Sequence, residues 1–250
     1  MTDNIYDSEP FFNAYAEMDR SKYGLPMAGE WHQLEPLFPD LVGKDVLDLG
    51  CGYGWHCKYA AEHGAGSVLG IDCSESMLSV ARGKNADPKI RYEQVSIEDY
   101  SYPKKRYDLV LSNLALHYIE DLESIFQKVY WTLKENGVFL FNIEHPTFTA
   151  GVDQSWILGE DGRPLYWPVD DYYYPGLRKT VFLGQEVKKY HHTLAQILNG
   201  LLETGFRLEA VEEAMPPEDL MEIPGMTDEM RRPMMLLVKA YKESGRNEND

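Results

Sequence analysis

Residues Val46 to Trp55 read VLDLGCGYGW, and this stretch decides the fold of the chain. Three apolar residues and one acid form a pattern typical of a short buried strand, and three alternating glycines follow directly. The residues after Trp55 have a helical pattern. A strand, a glycine turn and a helix in this order predict the nucleotide-binding half of a doubly wound α/β sheet, because glycines let a ligand approach the backbone. An ordinary glycine turn in an unrelated α/β protein is the alternative interpretation.

Composition narrows the class of protein. The chain has 250 residues and a formal net charge of −17, so its acidic surface argues against nucleic acid as a partner. No apolar run approaches the roughly 20 residues of a membrane span. From the polar and acidic residues 1–4 we expect no signal peptide. Cys51, Cys57 and Cys73 lack C-x-x-C spacing, so we expect reduced thiols, a cytoplasmic protein and no metal site.

Strands and helices alternate along most of the chain. We expect strands at residues 45–49, 67–71, 90–95, 107–113, 138–143, 206–211 and 234–241. We expect a helix after Trp55 that ends at Gly64, and further helices at residues 75–82, 122–133 and 194–204. The expected organisation is one domain over residues 1–250, with an N-terminal helical segment (1–42), a core (43–145), an inserted cap (146–190), a C-terminal part of the sheet (191–241) and a disordered tail (242–250).

The spacing of the glycines is more informative than their number. From Asp48 to Gly54 the sequence is D-x-G-x-G-x-G, whereas the third glycine of a dinucleotide fingerprint would fall on Trp55. This form resembles motif I of the class I S-adenosylmethionine (SAM)-dependent methyltransferases. Asp72 ends the second strand about 20 residues later, where an acid can hold a ribose. Asp72 suits SAM and NAD equally well.

Two later stretches extend the resemblance. SIEDY at residues 96–100 is similar to the loop after the third strand in that family, although Ser96 stands where an aspartate is usual. YDLVLSNLALHYIED at residues 107–121 resembles the fourth-strand motif. The resemblance implies an α/β, Rossmann-like, seven-stranded and mostly parallel sheet with helices on both faces, an antiparallel last strand and a cap inserted after the fifth strand.

The resemblance also implies SAM as the methyl donor and S-adenosylhomocysteine (SAH) as the product. The residues expected to bind SAM are Tyr15, Arg20, Asp48, Gly50, Cys51, Gly52, Asp72, Cys73, Met77, Ser96, Ile97, Glu98, Asn113 and Leu114. Three of them have an ordinary alternative: Tyr15 and Met77 would fill the core, and Arg20 would face solvent.

The segment after Pro146 interrupts the alternation of strands and helices. Residues 147–189 are rich in aromatic side chains and show no clear helix. Such a segment inside a compact domain is usually a functional lid or an insert, so we interpret it as a cap whose aromatic side chains form the acceptor pocket. Packing of the aromatic side chains within the insert, or a dimer contact, is the alternative.

The expected reaction is in-line methyl transfer to a small molecule, most simply at oxygen or nitrogen. Removal of the acceptor's proton calls for a base, and histidine titrates in the right range. His145 is the first candidate because it follows a central strand, and His192 is the second. Glu144, His117 and His191 are also near the expected site. A structural role is typical for a histidine at the position of His117 in the resembled family. No metal is expected, and the chain would be a monomer or a homodimer. The alternatives are an NAD-dependent oxidoreductase on a similar sheet and a SAM-binding protein without transferase activity.

Overall fold

The computed structural model describes residues 4–151 and 153–243. Its central element is a seven-stranded sheet, which confirms the predicted fold class. The strands of this sheet are β1 (Asp45–Leu49), β2 (Ser67–Asp72), β3 (Ile90–Gln94), β4 (Tyr107–Asn113), β5 (Leu133–Glu144), β10 (Phe206–Ala214) and β11 (Met235–Lys242). Four further strands form the insert: β6 (Ile157–Leu158), β7 (Pro164–Tyr166), β8 (Gly176–Phe182) and β9 (Gln185–His191).

The helices surround this sheet and cover the N-terminal side of the molecule. They are α1 (Glu9–Ala16), α2 (Asp19–Tyr23), α3 (Trp31–Leu34), α4 (Trp55–Glu62), α5 (Glu75–Lys84), α6 (Leu122–Thr132), α7 (Pro146–Thr149), α8 (Leu194–Thr204) and α9 (Met226–Glu229). Short 3-10 turns lie at Ile5–Asp7, Leu25–Met27, Glu35–Leu37, Leu116–Tyr118 and Glu218–Leu220.

The strand order is β10-β11-β5-β4-β1-β2-β3. The five strands from β5 to β3 are parallel, whereas β11 runs antiparallel between β5 and β10. Chain order reverses between β1 and β4, so the crevice outside their carboxyl ends is where an open α/β sheet binds ligands.

Alternation along the strands divides the core into two layers. Leu47 and Leu49 of β1 pack with Phe126 on the face that carries α6 and α8. Val46 packs with Ala60 on the face that carries α4 and α5. Since a strand turns successive side chains to opposite faces, each buried strand contributes to both layers.

The structure moves several predicted boundaries. Strand β5 begins at Leu133 rather than at residue 138, and β10 continues to Ala214 rather than ending at residue 211. The insert has more regular structure than the sequence indicated, because β6 pairs with β7 and β8 pairs with β9 as two antiparallel hairpins. Strand β11 continues to Lys242, the first residue of the predicted tail, and residues 244–250 lie outside the described residues.

Candidate active site

A cavity of about 1150 Å³ opens at the carboxyl ends of β1, β2 and β4. The loops after these strands form its floor, the segment from Asn4 to Ala28 forms one wall, and hairpin β8–β9 contributes another through residues 186–189. The cavity therefore lies at the predicted switch point of the sheet, between the core and two segments that cover it.

The glycine loop forms the cofactor side of this floor. Gly50, Gly52 and Gly54 have φ angles of 73°, 53° and 76°, which lie in the region that favours glycine. A Cβ on Gly50 would overlap the side chain of Ala115 from the loop after β4. The two loops at the switch point are therefore in contact, and the bare backbone of residues 50–52 faces the cavity.

Asp72 is fixed at the end of β2 by backbone donors. Its Oδ2 accepts from the Gly52 N–H and its Oδ1 from the Ser74 N–H, both at 2.9 Å. Burial raises the pKa of this carboxyl, and the Asp7 carboxylate adds repulsion, whereas the backbone hydrogen bonds from Gly52 and Ser74 only partly offset these effects. The carboxylate is thus oriented on the rim of the cavity with acceptor positions left for hydroxyl groups.

Most of the residues that the sequence predicted for SAM lie together here. The following line the cavity: Tyr15, Arg20, Gly50, Cys51, Gly52, Asp72, Cys73, Met77, Ser96, Ile97, Glu98, Asn113 and Leu114. Ser96 lines it with its hydroxyl already donating to Asp99 Oδ2 at 2.9 Å. Met77 and Ile97 are buried and supply an apolar wall.

Asp48 is the exception among the residues predicted to bind SAM, because it does not line the cavity. Strand alternation turns its side chain to the α4 face, where Cys57 Sγ donates to it at 3.3 Å. Burial raises the pKa of Asp48 to about 7. The acid of the D-x-G-x-G-x-G motif therefore lies beneath the glycine loop.

The N-terminal segment brings charge to the same end. Arg20 Nη2 donates to Glu30 Oε1 at 2.8 Å, and Asn113 Nδ2 donates to the same oxygen at 3.2 Å. Glu30 is 1% exposed, and the Arg20 guanidinium holds the pKa of this carboxyl below its usual range despite the opposing effect of burial. Sequence reasoning missed Glu30, because no motif marks an acid whose role is to orient an arginine about ten residues away.

A buried polar atom without a partner lies at the same cavity and bears on the fit of SAM. Trp55 Nε1 is buried and makes no hydrogen bond with another described residue. Trp55 lines the cavity, as Arg20 does, and its ring lies against Gly24. A buried donor without an acceptor is costly, and the carboxylate of SAM offers acceptor oxygens. The groups at this cavity fit SAM. Arg20 and Trp55 suit its carboxylate, the glycine loop allows close contact with the backbone, and Asp72 suits its ribose.

The opposite end of the cavity carries a second group of polar side chains. Lys189 Nζ donates to Glu144 Oε1 at 2.5 Å, and both residues line the cavity although the lysine is only 3% exposed. His117 Nε2 lies 3.9 Å from the same Glu144 oxygen. The Tyr118 hydroxyl is 2.9 Å from that of Tyr6. The sequence named Glu144 and His117 as nearby, whereas Lys189 was missed because it lies in the insert.

His145 and His192, the two residues predicted as candidate bases, do not line the cavity. His145 Nδ1 accepts from the Thr147 N–H as the N-cap of α7, and its Nε2 lies 3.0 Å from Glu213 Oε1. His192 Nε2 is 2.9 Å from the carbonyl oxygen of Ile119. His145 follows the strand at the predicted edge, but its side chain turns toward β10.

The aromatic side chains of the insert are also placed differently from the prediction. Among them only Phe182 lines the cavity, within the described residues. Phe148, Trp156 and Trp167 pack against one another and around the guanidinium of Arg232. The alternative interpretation, packing within the insert, is therefore correct for this group.

Residues 4–151 and 153–243 contain no group of three or more His, Cys, Asp and Glu side chains placed to hold a metal ion. None of their helices has the length and apolar character needed to cross a membrane.

Comparison with known proteins agrees with this geometry. Residues 47–141 match a family described as a methyltransferase domain. An S-adenosylmethionine dependent methyltransferase from Mesorhizobium loti is 42% identical, with a TM-score of 0.81 over 87% of this chain and 100% of that one. A Listeria monocytogenes structure, described as a proposed enzyme of the same kind, is 51% identical, with a TM-score of 0.84 over 88% of this chain and 100% of its own. A Haemophilus influenzae protein is 30% identical over 246 residues, which are 96% of this chain and 97% of the relative.

The chain belongs to the class I SAM-dependent methyltransferases. It is a SAM-dependent methyltransferase, and its cofactor is SAM. The alternative of an NAD-dependent oxidoreductase is therefore set aside.

Proposed function

We propose that this methyltransferase transfers the methyl group of SAM to an oxygen or nitrogen atom of a small molecule that binds in the same cavity. The observation that carries the proposal is the continuity of the cavity. One volume of about 1150 Å³ joins the glycine loop and Asp72 at one end to Glu144, Lys189 and His117 at the other.

The size of the cavity favours a small acceptor. Pockets for cofactors and drug-sized ligands span roughly 300–1000 Å³, so about 1150 Å³ leaves room for a nucleoside donor and a second small molecule. The formal net charge of −17 disfavours a nucleic-acid acceptor. A SAM-binding protein without transferase activity would not need the polar side chains Glu144, Lys189 and His117 at the far end of the cavity.

The donor supplies an activated methyl group on a sulfonium, and the protein supplies position and exclusion of water. Arg20 and Trp55 orient the amino-acid end of the donor. Asp72 fixes the ribose, and Met77 and Ile97 enclose the base. The segment from Asn4 to Ala28 and hairpin β8–β9 keep water away from the reacting atoms, because they form the walls of the cavity.

The test is transfer of label from methyl-labelled SAM to the small-molecule fraction of a bacterial extract, followed by mass spectrometry of labelled products. We expect a labelled small molecule with the wild type and none with Asp72→Ala. Calorimetry with SAH measures cofactor binding separately. Tight SAH binding without a labelled product of any acceptor would contradict transfer to a small molecule and favour a binding role.

A further inference from the structure

Two cysteine thiols lie side by side at the glycine loop, and the mechanism above uses neither of them. Cys51 belongs to this loop, lines the cavity and is 7% exposed. Cys57 lies in the first turn of α4 and is fully buried. Burial raises the pKa of the Cys51 thiol to about 11, and a hydrogen bond from the Cys57 thiol offsets part of this effect. The two sulfur atoms are therefore within reach of each other.

The neighbouring strand β2 leaves room for both sulfur atoms. A Cβ on Gly70 would lie 2.7 Å from Cys57 Sγ and 2.9 Å from Cys51 Sγ, so a side chain at this position would push both of them away. Gly70 does not have the positive φ that favours glycine, and space rather than backbone conformation accounts for a glycine here. The two sulfur atoms thus converge over the backbone of Gly70, and a disulfide requires such an approach.

A buried acid lies behind the pair. Cys57 Sγ donates to Asp48 Oδ2 at 3.3 Å, and Asp48 is 1% exposed. A thiolate, rather than a thiol, is the nucleophile in sulfur chemistry, and burial raises the pKa of Cys57 and keeps this thiol protonated. Burial also raises the pKa of Asp48 to about 7, so this carboxyl can take the proton of Cys57 near neutral pH.

We propose that Cys51 and Cys57 are a redox-sensitive modification site, at which a hydroperoxide that enters the cavity converts the two thiols into a disulfide. Cys51 reacts first, because it lines the cavity and Cys57 does not. The Cys51 sulfur attacks the O–O bond of the hydroperoxide. One oxygen stays on sulfur as a sulfenic acid, and the other leaves with the thiol proton as water or an alcohol.

Cys57 completes the reaction. With its proton transferred to Asp48, the Cys57 sulfur attacks the Cys51 sulfur. The S–S bond forms, the S–O bond breaks, and the hydroxyl group leaves as water with the proton that Asp48 holds. The two sulfur atoms together lose two electrons, which the hydroperoxide has taken, so the reaction needs no further oxidant.

The disulfide acts on the donor site through the backbone of Cys51. Gly50 and Gly52 flank this residue, and the Gly52 N–H donates to Asp72 Oδ2 at 2.9 Å. A disulfide holds its two Cβ atoms about 3.8 Å apart with a fixed dihedral angle, so the glycine loop has to follow the Cys51 sulfur toward α4. Oxidation therefore weakens the binding of SAM and SAH. A bound cofactor in turn covers the loop and protects Cys51 from the hydroperoxide.

Peptide mapping locates the modification. Cleavage after Lys44 and Lys58 gives one tryptic peptide, residues 45–58, that holds both Cys51 and Cys57, whereas Cys73 falls in the next peptide. The protein is treated with hydrogen peroxide with and without saturating SAH, then denatured, alkylated, digested and analysed by mass spectrometry. Without SAH we expect peptide 45–58 to lose two hydrogen atoms and to escape alkylation. With SAH we expect both of its cysteines to be alkylated.

Calorimetry with SAH measures the effect on the cofactor site. We expect the oxidised protein to bind SAH at least about tenfold more weakly, since the loss of one hydrogen bond to a charged group has this effect, and dithiothreitol to restore the affinity. Cys57→Ser is the matched control, because serine keeps a donor for Asp48 but cannot form the disulfide. In this variant dimedone should trap the sulfenic acid of Cys51.

Neither readout requires an acceptor, so this inference stands or falls apart from the proposed function. If Cys57→Ser fails to fold, the peptide map of the wild type still decides. The inference is overturned if peptide 45–58 keeps both thiols after peroxide treatment, or if its cysteines are oxidised only to sulfinic acids. Disulfide formation that SAH leaves unchanged, or an oxidised protein that binds SAH as tightly as the reduced one, overturns the link to the cofactor site.

Discussion

Asp72→Asn is the sharpest test of the cofactor site, because the substitution changes chemistry with almost no change in shape. Each oxygen of Asp72 accepts one backbone N–H, from Gly52 and from Ser74. An ionised carboxylate has about four acceptor positions, so roughly two are left for the hydroxyl groups of a ribose. Asparagine keeps one acceptor oxygen and presents an NH2 group in place of the other.

The expected loss of SAH affinity follows from this number of acceptor positions. The variant loses one charge-assisted hydrogen bond to the ribose, worth about 1.5–3 kcal/mol, which corresponds to SAH binding weaker by about 10- to 150-fold. One backbone N–H also loses its acceptor, at a cost of about 1–3 kcal/mol. Because burial already disfavours the charge on Asp72, removal of that charge offsets part of this cost, and we expect the melting temperature to fall by no more than a few degrees.

Isothermal calorimetry with SAH measures the affinity, and thermal unfolding measures the stability. Glu93→Gln is the matched control, since it removes a similar charge from an exposed position on the neighbouring strand and does not line the cavity. An Asp72→Asn protein that binds SAH within about threefold of the wild type, a difference of less than about 1 kcal/mol, would refute the assignment of the ribose to Asp72.

Three further changes probe the architecture around the cavity. Gly50→Ala should unfold at a markedly lower denaturant concentration than Gly43→Ala. Both glycines have positive φ, so alanine adds about 1–2 kcal/mol of strain at either position, but of the two only a Cβ at Gly50 meets a neighbouring side chain. Equal losses of stability in the two variants would refute the close approach of Gly50 to Ala115. Lys189→Met should destabilise the protein by about 3 kcal/mol, since it leaves the mostly buried carboxylate of Glu144 without its cation. Lys188→Met, at an exposed position, should change the denaturation midpoint little. Burial lowers the pKa of His56 to about 4, so the unfolded chain takes up a proton near pH 6.5 before the folded chain does. The contribution of His56 to stability is complete above pH 6.5 and is lost as the pH falls toward 4. His56→Gln should therefore reduce the slope of the unfolding free energy against pH in this window by about 1.4 kcal/mol per pH unit. Identical slopes in the variant and the wild type would show that this histidine titrates normally.

The sequence by itself determined the fold and the cofactor end of the site. Strand and helix periodicity, the glycine turn and the acid at the end of β2 are local patterns, so their spacing along the chain already fixes which backbone groups meet at the switch point. This is why the glycine loop and Asp72 were predicted from their positions. They are found on one cavity with Met77 and Asn113, which the resemblance to the family implied.

Tertiary structure alone decided which way side chains turn and which distant residues meet. Asp48 lies within the motif, but strand alternation buries it on the far face. His145 is at the predicted edge, yet it caps a helix and faces β10. The Glu144–Lys189 pair joins residues 45 positions apart, and Lys189 belongs to hairpin β8–β9, which the sequence pattern did not predict. The end of the cavity at Glu144 and Lys189 consists of such long-range contacts. The sequence pattern does not predict them, because tertiary packing, rather than spacing along the chain, brings these groups together.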